Sequence, residues 1–194
     1  MGQIKDITGI LLAGGKSSRM GSDKGFLKLN GATFMSLIIE AVQPLVNDII
    51  IVSNNSEYDI FNLKRVDDIV KDAGPLAGLF TGLFYSETEY NLVLSCDVPL
   101  INNAVLDKLI EGLDSDTDVI QLQSQGKTMP LIALYKKQCM HQCLDQLKKG
   151  ERRLRMAVEG LNTKTIALDP DLDPFVRNIN TLSELTQLKN ELEH

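Results

Sequence analysis

The chain has 194 residues, 43% hydrophobic and 24% charged, which is the composition of one globular domain with a sizeable core. Its net charge of -6 excludes a general affinity for nucleic acid or anionic membranes, so any anionic ligand needs a local group of cations. Three cysteines without paired spacing exclude a disulfide framework and favour a reducing compartment, which we expect to be the cytoplasm.

Neither a signal peptide nor a membrane span is predicted from the sequence pattern. Lys5 and Asp6 interrupt the N-terminus before any long apolar run, so no signal peptide is predicted. No apolar stretch approaches the roughly 18 residues that suggest a membrane span. The last residues, 192–194, have the pattern of a truncated affinity tag, so we expect the domain to cover 1–191.

Short apolar runs alternate with helical patterns along the chain. Strands are predicted at 8–13, 48–53, 90–96, 118–122 and 129–135. Helices are predicted at 34–45, 76–85, 103–113 and 137–149, and a capping box of Thr181 and Glu184 opens a last helix that ends near residue 192. The strands are continuous Ile, Val and Leu runs, which indicates burial on both faces. The pattern therefore predicts a single-domain, three-layer, Rossmann-like α/β fold with a mostly parallel central sheet.

The first predicted strand leads into a glycine-rich basic loop, LLAGGKSSRMGSDK, at residues 11–24. Gly14 and Gly15 have no side chains, so their backbone N–H groups can approach phosphate oxygens closely. Arg19 and Lys24 supply the cations that a polyphosphate needs. Neither GxxxxGK[ST] nor GxGxxG fits this stretch. The alternative is a solvated, glycine-rich surface turn.

Asp97 directly follows the predicted strand 90–96 and precedes Pro99, at the same edge of the sheet as the glycine-rich loop. Magnesium binds one or two carboxylates together with phosphates and waters, so one aspartate suffices for a metal site. The alternative is a cap on the helix at 103–113, but such a cap lies closer to residue 101 or 102. Either Asn180 or Asp173 could complete the site.

The order of these motifs resembles the molybdenum cofactor guanylyltransferase (MobA) family of the nucleotidyltransferase superfamily. The motifs that carry the resemblance are LAGGxSxRMGxxK at 12–24, GPLAG at 74–78, CDVP at 96–99, MPLIALY at 129–135 and NINT at 178–181. The resemblance implies one nucleotidyltransferase domain whose N-terminal half binds the nucleotide and whose C-terminal half binds the pterin. It implies transfer of GMP from GTP to the phosphate of molybdenum-molybdopterin, with Mg2+ as cofactor, and release of pyrophosphate.

The same resemblance implies roles for individual residues. Nucleotide binding falls on Leu12, Ala13, Gly14, Gly15, Lys24, Asn54, Asp68, Gly74, Pro75, Leu76 and Asp97, with Asp67 and Asp72 as alternatives to Asp68. Catalysis falls on Arg19, Lys24 and Asp97, and Asp97 is the implied magnesium ligand. Pterin binding falls on Arg152, Arg155, Asn178 and Asn180. Met129 departs from the family, which usually has histidine there.

The implied reaction needs no protein nucleophile, because a phosphate monoester is already ionised at neutral pH. His141 lies on a predicted helix between Cys139 and Cys143, which argues against a Ser-His-Asp triad, and both cysteines are predicted to be buried packing residues. Two alternatives stay open: a related transferase that uses CTP or a sugar phosphate, and a GTP-binding carrier or regulator without transfer. The expected protein partners are enzymes that make or receive the cofactor, in transient contact.

Overall fold

A seven-stranded sheet with helices on both faces forms the body of the protein, and the computed structural model describes residues 6–14 and 23–192. The strands are β1 Ile7–Leu12, β2 Lys28–Leu29, β3 Ala32–Thr33, β4 Asp48–Val52, β5 Lys64–Val66, β6 Tyr90–Ser95, β7 Val119–Ser124, β8 Lys127–Lys136 and β9 Thr163–Ala167. The helices are α1 Phe34–Val42, α2 Gly74–Tyr85, α3 Asn103–Glu111, α4 Cys139–Lys148, α5 Leu154–Val158 and α6 Leu182–Leu192.

The strand order of the large sheet is β5-β4-β1-β6-β8-β7-β9. The pairs β5-β4, β4-β1, β1-β6 and β7-β9 are parallel, and β8 runs antiparallel to both of its neighbours. Strands β2 and β3 form a separate small hairpin. The prediction of a mostly parallel central sheet is confirmed.

Alternate side chains of β1 enter cores on opposite faces of the sheet. Ile10 packs in the core that α2, α4 and α5 cover, and Leu11 packs in the core that α1 and α3 cover. Both side chains are completely buried, and burial of a side chain of this size contributes roughly 1.5–3 kcal/mol. A strand covered on both faces needs a continuous apolar run, and the three-layer prediction is thereby confirmed.

The helices on the two faces match the sequence prediction in position and differ at their ends. The predicted helix 34–45 is α1 followed by a 3-10 turn, Gln43–Leu45, because Pro44 cannot continue the hydrogen-bond pattern. Helix α2 begins earlier than predicted, with Gly74 and Pro75 in its first turn. Cys139 and Cys143 of α4 are free and buried in the core, as predicted.

Helix α6 packs on the side of the fold rather than on the main sheet. The predicted capping box is present: Thr181 Oγ1 accepts from the N–H of Glu184 at 3.2 Å, and the Glu184 carboxylate accepts from the N–H of Thr181 at 3.1 Å. Leu185 and Leu188 are buried with Ile179 in a third hydrophobic cluster. The N–H of Ile179 also donates to the carbonyl of Asp97 at 2.8 Å, so the segment just before α6 lies next to the end of β6.

Several elements were not predicted from the sequence. They are the edge strands β5 and β9, the hairpin of β2 and β3, the short helix α5, and 3-10 helices at Lys24–Phe26, Ser56–Phe61 and Pro170–Val176. Among the helices of the described residues, none combines the length and the apolar character needed to cross a membrane.

Candidate active site

The carboxyl ends of three neighbouring strands bring the predicted nucleotide residues to one edge of the sheet. Leu12 pairs with Ser95 across β1 and β6, and the N–H of Cys96 donates to the carbonyl of Leu12 at 3.1 Å. The N–H of buried Ala13 donates to the carbonyl of Val52 at 3.0 Å. Residues 12–14, Asn54 and Asp97 come at or just after the ends of three adjacent parallel strands. Because parallel strands end at the same edge of a sheet, these residues lie at the edge where α/β folds bind ligands.

Asp97 is fixed by hydrogen bonds from two segments. Its Oδ1 accepts from Ser95 Oγ at 2.6 Å and from Asn178 Nδ2 at 2.8 Å. Its backbone carbonyl accepts from the N–H of Ile179 at 2.8 Å. The alternative role for Asp97 was to cap helix α3, but the cap of that helix is Asn102, whose side chain accepts from the N–H of Val105. Asp97 is therefore a carboxylate fixed at the carboxyl-end edge of the sheet and not a helix cap.

Lys24 reaches the free side of that carboxylate. Its Nζ lies 3.3 Å from Asp97 Oδ2 and 2.5 Å from Asn180 Oδ1, and the two charged side chains are 23% and 15% exposed. Of the two residues that could complete a metal site, Asn180 is therefore the one beside Asp97. Asp173 instead accepts from Ser124 Oγ at 2.6 Å.

Asn54 and Asp68 form a second polar pair at the same edge. Asn54 Nδ2 donates to Asp68 Oδ2 at 3.4 Å, and the N–H of Asp68 donates to Asn54 Oδ1 at 3.0 Å. Among the described residues, the buried Oδ1 of Asp68 has no hydrogen-bond partner. Burial, followed by the charge of Asp67, raises the pKa of Asp68 above its ordinary value. A buried acceptor with nothing to accept is a place where a ligand donor is expected.

The start of α2 closes this part of the edge. Gly74 has a φ of +69°, which a residue with a side chain rarely adopts, and it lets the chain turn directly into the helix. Gly78, one turn further, lies so close that an added Cβ would be 3.8 Å from Asp68 Oδ1 and 3.4 Å from Leu12 Cδ2. The second turn of α2, at Gly78, and the polar pair therefore border one another.

The four residues that the resemblance assigns to pterin binding do not lie together in the structure. Asn178 and Asn180 lie at Asp97 and Lys24, as described above. Arg152 donates to the backbone carbonyl of Asp72, just before α2, and Arg155 is exposed on α5. Within the described residues, no hydrogen bond or ion pair joins either arginine to Asp97. Gly15 and Arg19 lie outside the described residues.

A cavity of about 620 Å³ lies beyond Asp97, between the β7-β8 hairpin and α6. Its wall contains apolar, uncharged polar and charged side chains: Leu100, Ser124, Gln125, Lys127, Met129, Pro170, Asp173, Pro174, Arg177, Leu188 and Glu191. Leu100 of this wall follows Asp97 three residues later in the sequence, and Arg177 directly precedes Asn178.

Reactive or metal-binding clusters of other kinds are not found in the described part of the chain. No group of three or more His, Cys, Asp or Glu residues there could hold a metal ion. Burial, followed by the nearby charge of Asp97, raises the pKa of the Cys96 thiol to about 12, so this thiol is protonated and unreactive at neutral pH. His141 is exposed on α4.

Three residues that were not predicted from the sequence, Asp23, Asn55 and Tyr58, fix the turn that carries Lys24. Asp23 Oδ1 accepts from the hydroxyl of Tyr58 at 2.5 Å, and Asp23 Oδ2 accepts from Asn55 Nδ2 at 3.3 Å. The only sequence signal was the position of Asp23 next to Lys24. Nothing in the pattern connects it to a tyrosine 35 residues away.

The strand order of the sheet and the place of the site at the carboxyl ends of its strands define the fold class of the protein. The crystal structure of molybdopterin-guanine dinucleotide biosynthesis protein A from Archaeoglobus fulgidus superimposes with a TM-score of 0.81, at 22% identity over 96% of this chain and 98% of that chain. The fold is thus the Rossmann-like nucleotidyltransferase fold.

The sequence comparisons identify the family within that class. The family model of the MobA-like NTP transferase domain matches residues 9–165. A Flavobacterium johnsoniae protein named "Probable molybdenum cofactor guanylyltransferase" is 33% identical over 97% of this chain and 100% of its own length. The molybdenum cofactor guanylyltransferase of Desulfosudis oleivorans is 33% identical over 92% of each chain. The chain belongs to the MobA-like NTP transferase family and is a nucleotidyltransferase.

Proposed function

We propose that this enzyme transfers GMP from GTP to the terminal phosphate of the molybdenum-molybdopterin cofactor, forming the guanine dinucleotide cofactor and releasing pyrophosphate. The observation that carries the proposal is the contact of Lys24 with Asp97 beyond the ends of β1 and β6, beside the backbone of residues 12–14. Relatives that align over nearly the whole chain are named guanylyltransferases, which supports the choice of reaction.

The triphosphate would lie along the turn after β1. The backbone N–H of Gly14 and the ammonium of Lys24 are suited to phosphate oxygens, since one supplies a donor without a side chain and the other a compact charge. An added Cβ at Gly14 would meet nothing within 4 Å among the described residues. Gly15 and Arg19 stay part of the proposal from the sequence alone.

The base would be read by Asp68. Guanine presents two adjacent donors, its N1–H and its 2-amino group, whereas cytosine and adenine do not present that pair. The unpartnered Oδ1 of Asp68 is a matching acceptor, and Asn54 holds the other oxygen in place at 3.4 Å. The first turn of α2, at Gly74, Pro75 and Leu76, would border the nucleoside.

The donor set at Asp97 fits Mg2+. Asp97 Oδ2 and Asn180 Oδ1 both accept from the ammonium of Lys24, so these two oxygen atoms already share one cation and would be free to share Mg2+ once that ammonium contacts the phosphates. Magnesium is bound by one or two carboxylates and completes its shell with phosphates and waters. When bound, the ion would neutralise charge on the phosphates of GTP. Asn178 and Ser95 would keep the Asp97 carboxylate oriented.

The transfer itself is a direct displacement. A terminal phosphate oxygen of the acceptor attacks the α-phosphorus of GTP, and the bond from that phosphorus to the bridging oxygen of pyrophosphate breaks. The acceptor is already ionised, so no side chain needs to remove a proton. Lys24 would hold the negative charge that gathers on the phosphates, and its fixed position lowers the cost of in-line alignment.

The acceptor would occupy the C-terminal half of the protein. The cavity of about 620 Å³ next to Asp97 is built mostly from that half and combines apolar side chains such as Met129 with Lys127. A pterin with an anionic phosphate needs both kinds of surface. Arg152 lies at the start of α2, so in this proposal it borders the nucleotide side as well as the pterin side.

The proposed setting of the enzyme is the cytoplasm. Its three cysteines are free and buried, which suits a reducing compartment such as the cytoplasm. A product that serves other enzymes as a cofactor has to be passed on, so brief contacts with enzymes that supply or receive it belong to the proposal.

The experiment that tests the proposal is release of pyrophosphate by purified protein with Mg2+ and molybdopterin cofactor, comparing GTP, ITP, ATP and CTP. GTP is expected to be preferred, with ITP weaker because inosine lacks the 2-amino group. A preference for CTP would assign the protein to the cytidylyl-transferring relatives. Binding of GTP without release would support the carrier and contradict the transferase.

A further inference from the structure

Lys24 sits on an element that cannot hold itself in place. The 3-10 helix Lys24–Phe26 has three residues, and one turn of this kind has too few hydrogen bonds to be stable alone. It follows directly on residues 15–22, outside the described part of the chain. What keeps the Lys24 ammonium at Asp97 must therefore come from contacts with the rest of the fold.

The first such contact is the carboxylate of Asp23. Asp23 caps the turn, because its Oδ1 accepts from the N–H of Gly25 at 3.2 Å. The same Oδ1 accepts from the hydroxyl of Tyr58 at 2.5 Å, and Oδ2 accepts from Asn55 Nδ2 at 3.3 Å. Hydrogen bonds to an ionised carboxylate are stronger than neutral ones, so this one group joins the turn firmly to the segment after β4.

The second contact is aromatic. Phe26, at the end of the turn, packs against the ring of Tyr58 with centroids 4.6 Å apart and faces Phe61 at 6.1 Å. Tyr58 is completely buried. The approach is so close that a Cβ on Gly25 would lie 2.1 Å from the Tyr58 oxygen. Lys24 is thus anchored on both sides, through Asp23 before it and Phe26 after it, to the same tyrosine.

We propose that Tyr58 is a positioning residue of the transfer reaction, which through Asp23 fixes Lys24 where the phosphates of the nucleotide bind. This inference rests on the proposed function for its reaction, but it concerns a residue that touches neither substrate. Tyr58 acts on the phosphate end of the nucleotide only, since the anchored turn carries Lys24 and not Asn54 or Asp68.

The test compares Tyr58→Phe with a matched control, Tyr135→Phe. Tyr135 is also completely buried, and its hydroxyl donates to the carbonyl of Pro130 at 2.7 Å in β8, so the same atom is removed away from Lys24. Tyr58→Phe is expected to lower the single-turnover rate with saturating GTP about tenfold, since small displacements of a catalytic group are costly. Tyr135→Phe is expected to stay within about twofold of the wild type, since the two sites share no contact.

A second readout does not depend on turnover. Calorimetry of GTP and of guanosine binding should show weaker GTP binding by Tyr58→Phe and unchanged guanosine binding, because guanosine has no phosphate for Lys24. If the wild type releases no pyrophosphate, the proposed function fails, and this comparison still decides the role of Tyr58.

The path through Asp23 has its own test. Asp23→Ala is expected to lose at least as much rate as Tyr58→Phe, and the double variant should match Asp23→Ala alone. Multiplicative losses, equal losses in Tyr135→Phe, or an unchanged rate in Tyr58→Phe would each overturn the inference. If Tyr58→Phe does not fold, Asn55→Ala removes the donor to the other oxygen of Asp23, together with the two hydrogen bonds of Asn55 with Glu57 that cap the 3-10 helix, and should slow transfer about threefold or more. An unchanged rate in Asn55→Ala would then overturn it.

Discussion

Replacing Asp97 by asparagine separates the charge of this side chain from its shape. The asparagine keeps an oxygen that can accept from Ser95 and Asn178. In the unmodified protein these two side chains donate to Asp97 Oδ1 at 2.6 and 2.8 Å. What disappears is the negative charge facing Lys24 Nζ at 3.3 Å. The fold is expected to remain, while the cation position loses its only carboxylate among the described contacts of Lys24.

The expected size of the effect follows from that distance. Two unit charges 3.3 Å apart interact by about 1 kcal/mol in water and about 5 kcal/mol at an effective dielectric constant near 20. A loss of about 3 to 4 kcal/mol in transition-state stabilisation corresponds to a rate lowered roughly 100- to 1000-fold. The free energy of unfolding should fall by less than the Coulomb energy of the pair, by about 1–2 kcal/mol, because the side chains of Lys24 and Asp97 stay 23% and 15% exposed and the hydrogen bonds to the retained oxygen remain.

The assay is single-turnover release of pyrophosphate at saturating GTP, together with urea denaturation of the same preparations. Asp107→Asn on α3 is the matched control, since Asp107 is exposed and away from the sheet edge. An Asp97→Asn enzyme within tenfold of the wild type would refute the role of this carboxylate. A loss of activity that follows a large loss of stability would refute the argument from shape.

Three further predictions concern packing and ionisation. Gly25→Ala should lower the free energy of unfolding by about 1–3 kcal/mol in urea denaturation, because the new Cβ would meet the Tyr58 oxygen at 2.1 Å. Burial raises the pKa of Asp68 above its ordinary value of 3.8, so the folded protein loses stability as the pH rises from 3.8 through the raised pKa and this carboxyl group ionises. Asp68→Asn should therefore raise the melting temperature at pH 7. The same substitution should weaken the preference for GTP over ITP. Burial raises the pKa of Cys139 and of Cys143 to about 12, so neither thiol should react with iodoacetamide at pH 8 in the folded protein, as mass spectrometry of labelled protein can show.

The central part of the fold could be predicted because its strands have a distinctive sequence pattern. β1, β4 and β6 lie in the middle of the sheet and are continuous apolar runs. The edge strands β5, of sequence KRV, and β9, of sequence TKTIA, carry exposed polar side chains and could not be separated from loops. A pattern rule that detects burial on both faces therefore finds the centre of a sheet and misses its edges.

The candidate site could be predicted only as far as the ends of strands. Asp97 and Gly14 follow strands directly, so their place at the sheet edge could be inferred from chain order. The contact of Lys24 with Asn180 spans 156 residues and depends on how α6 packs, which no local pattern records. The anchor at Asp23 and Tyr58 was missed for the same reason, because a buried tyrosine in a short 3-10 helix looks like an ordinary core residue.

The most direct test of the account follows the α-phosphorus of GTP. Protein is incubated with Mg2+, molybdopterin cofactor and GTP radiolabelled at the α-phosphate, and the labelled products are separated and identified by mass. The label is expected to appear in the guanine dinucleotide cofactor, in equal amount to the pyrophosphate released. Label that stays in GTP while the protein binds GTP and the cofactor would contradict guanylyl transfer by this enzyme.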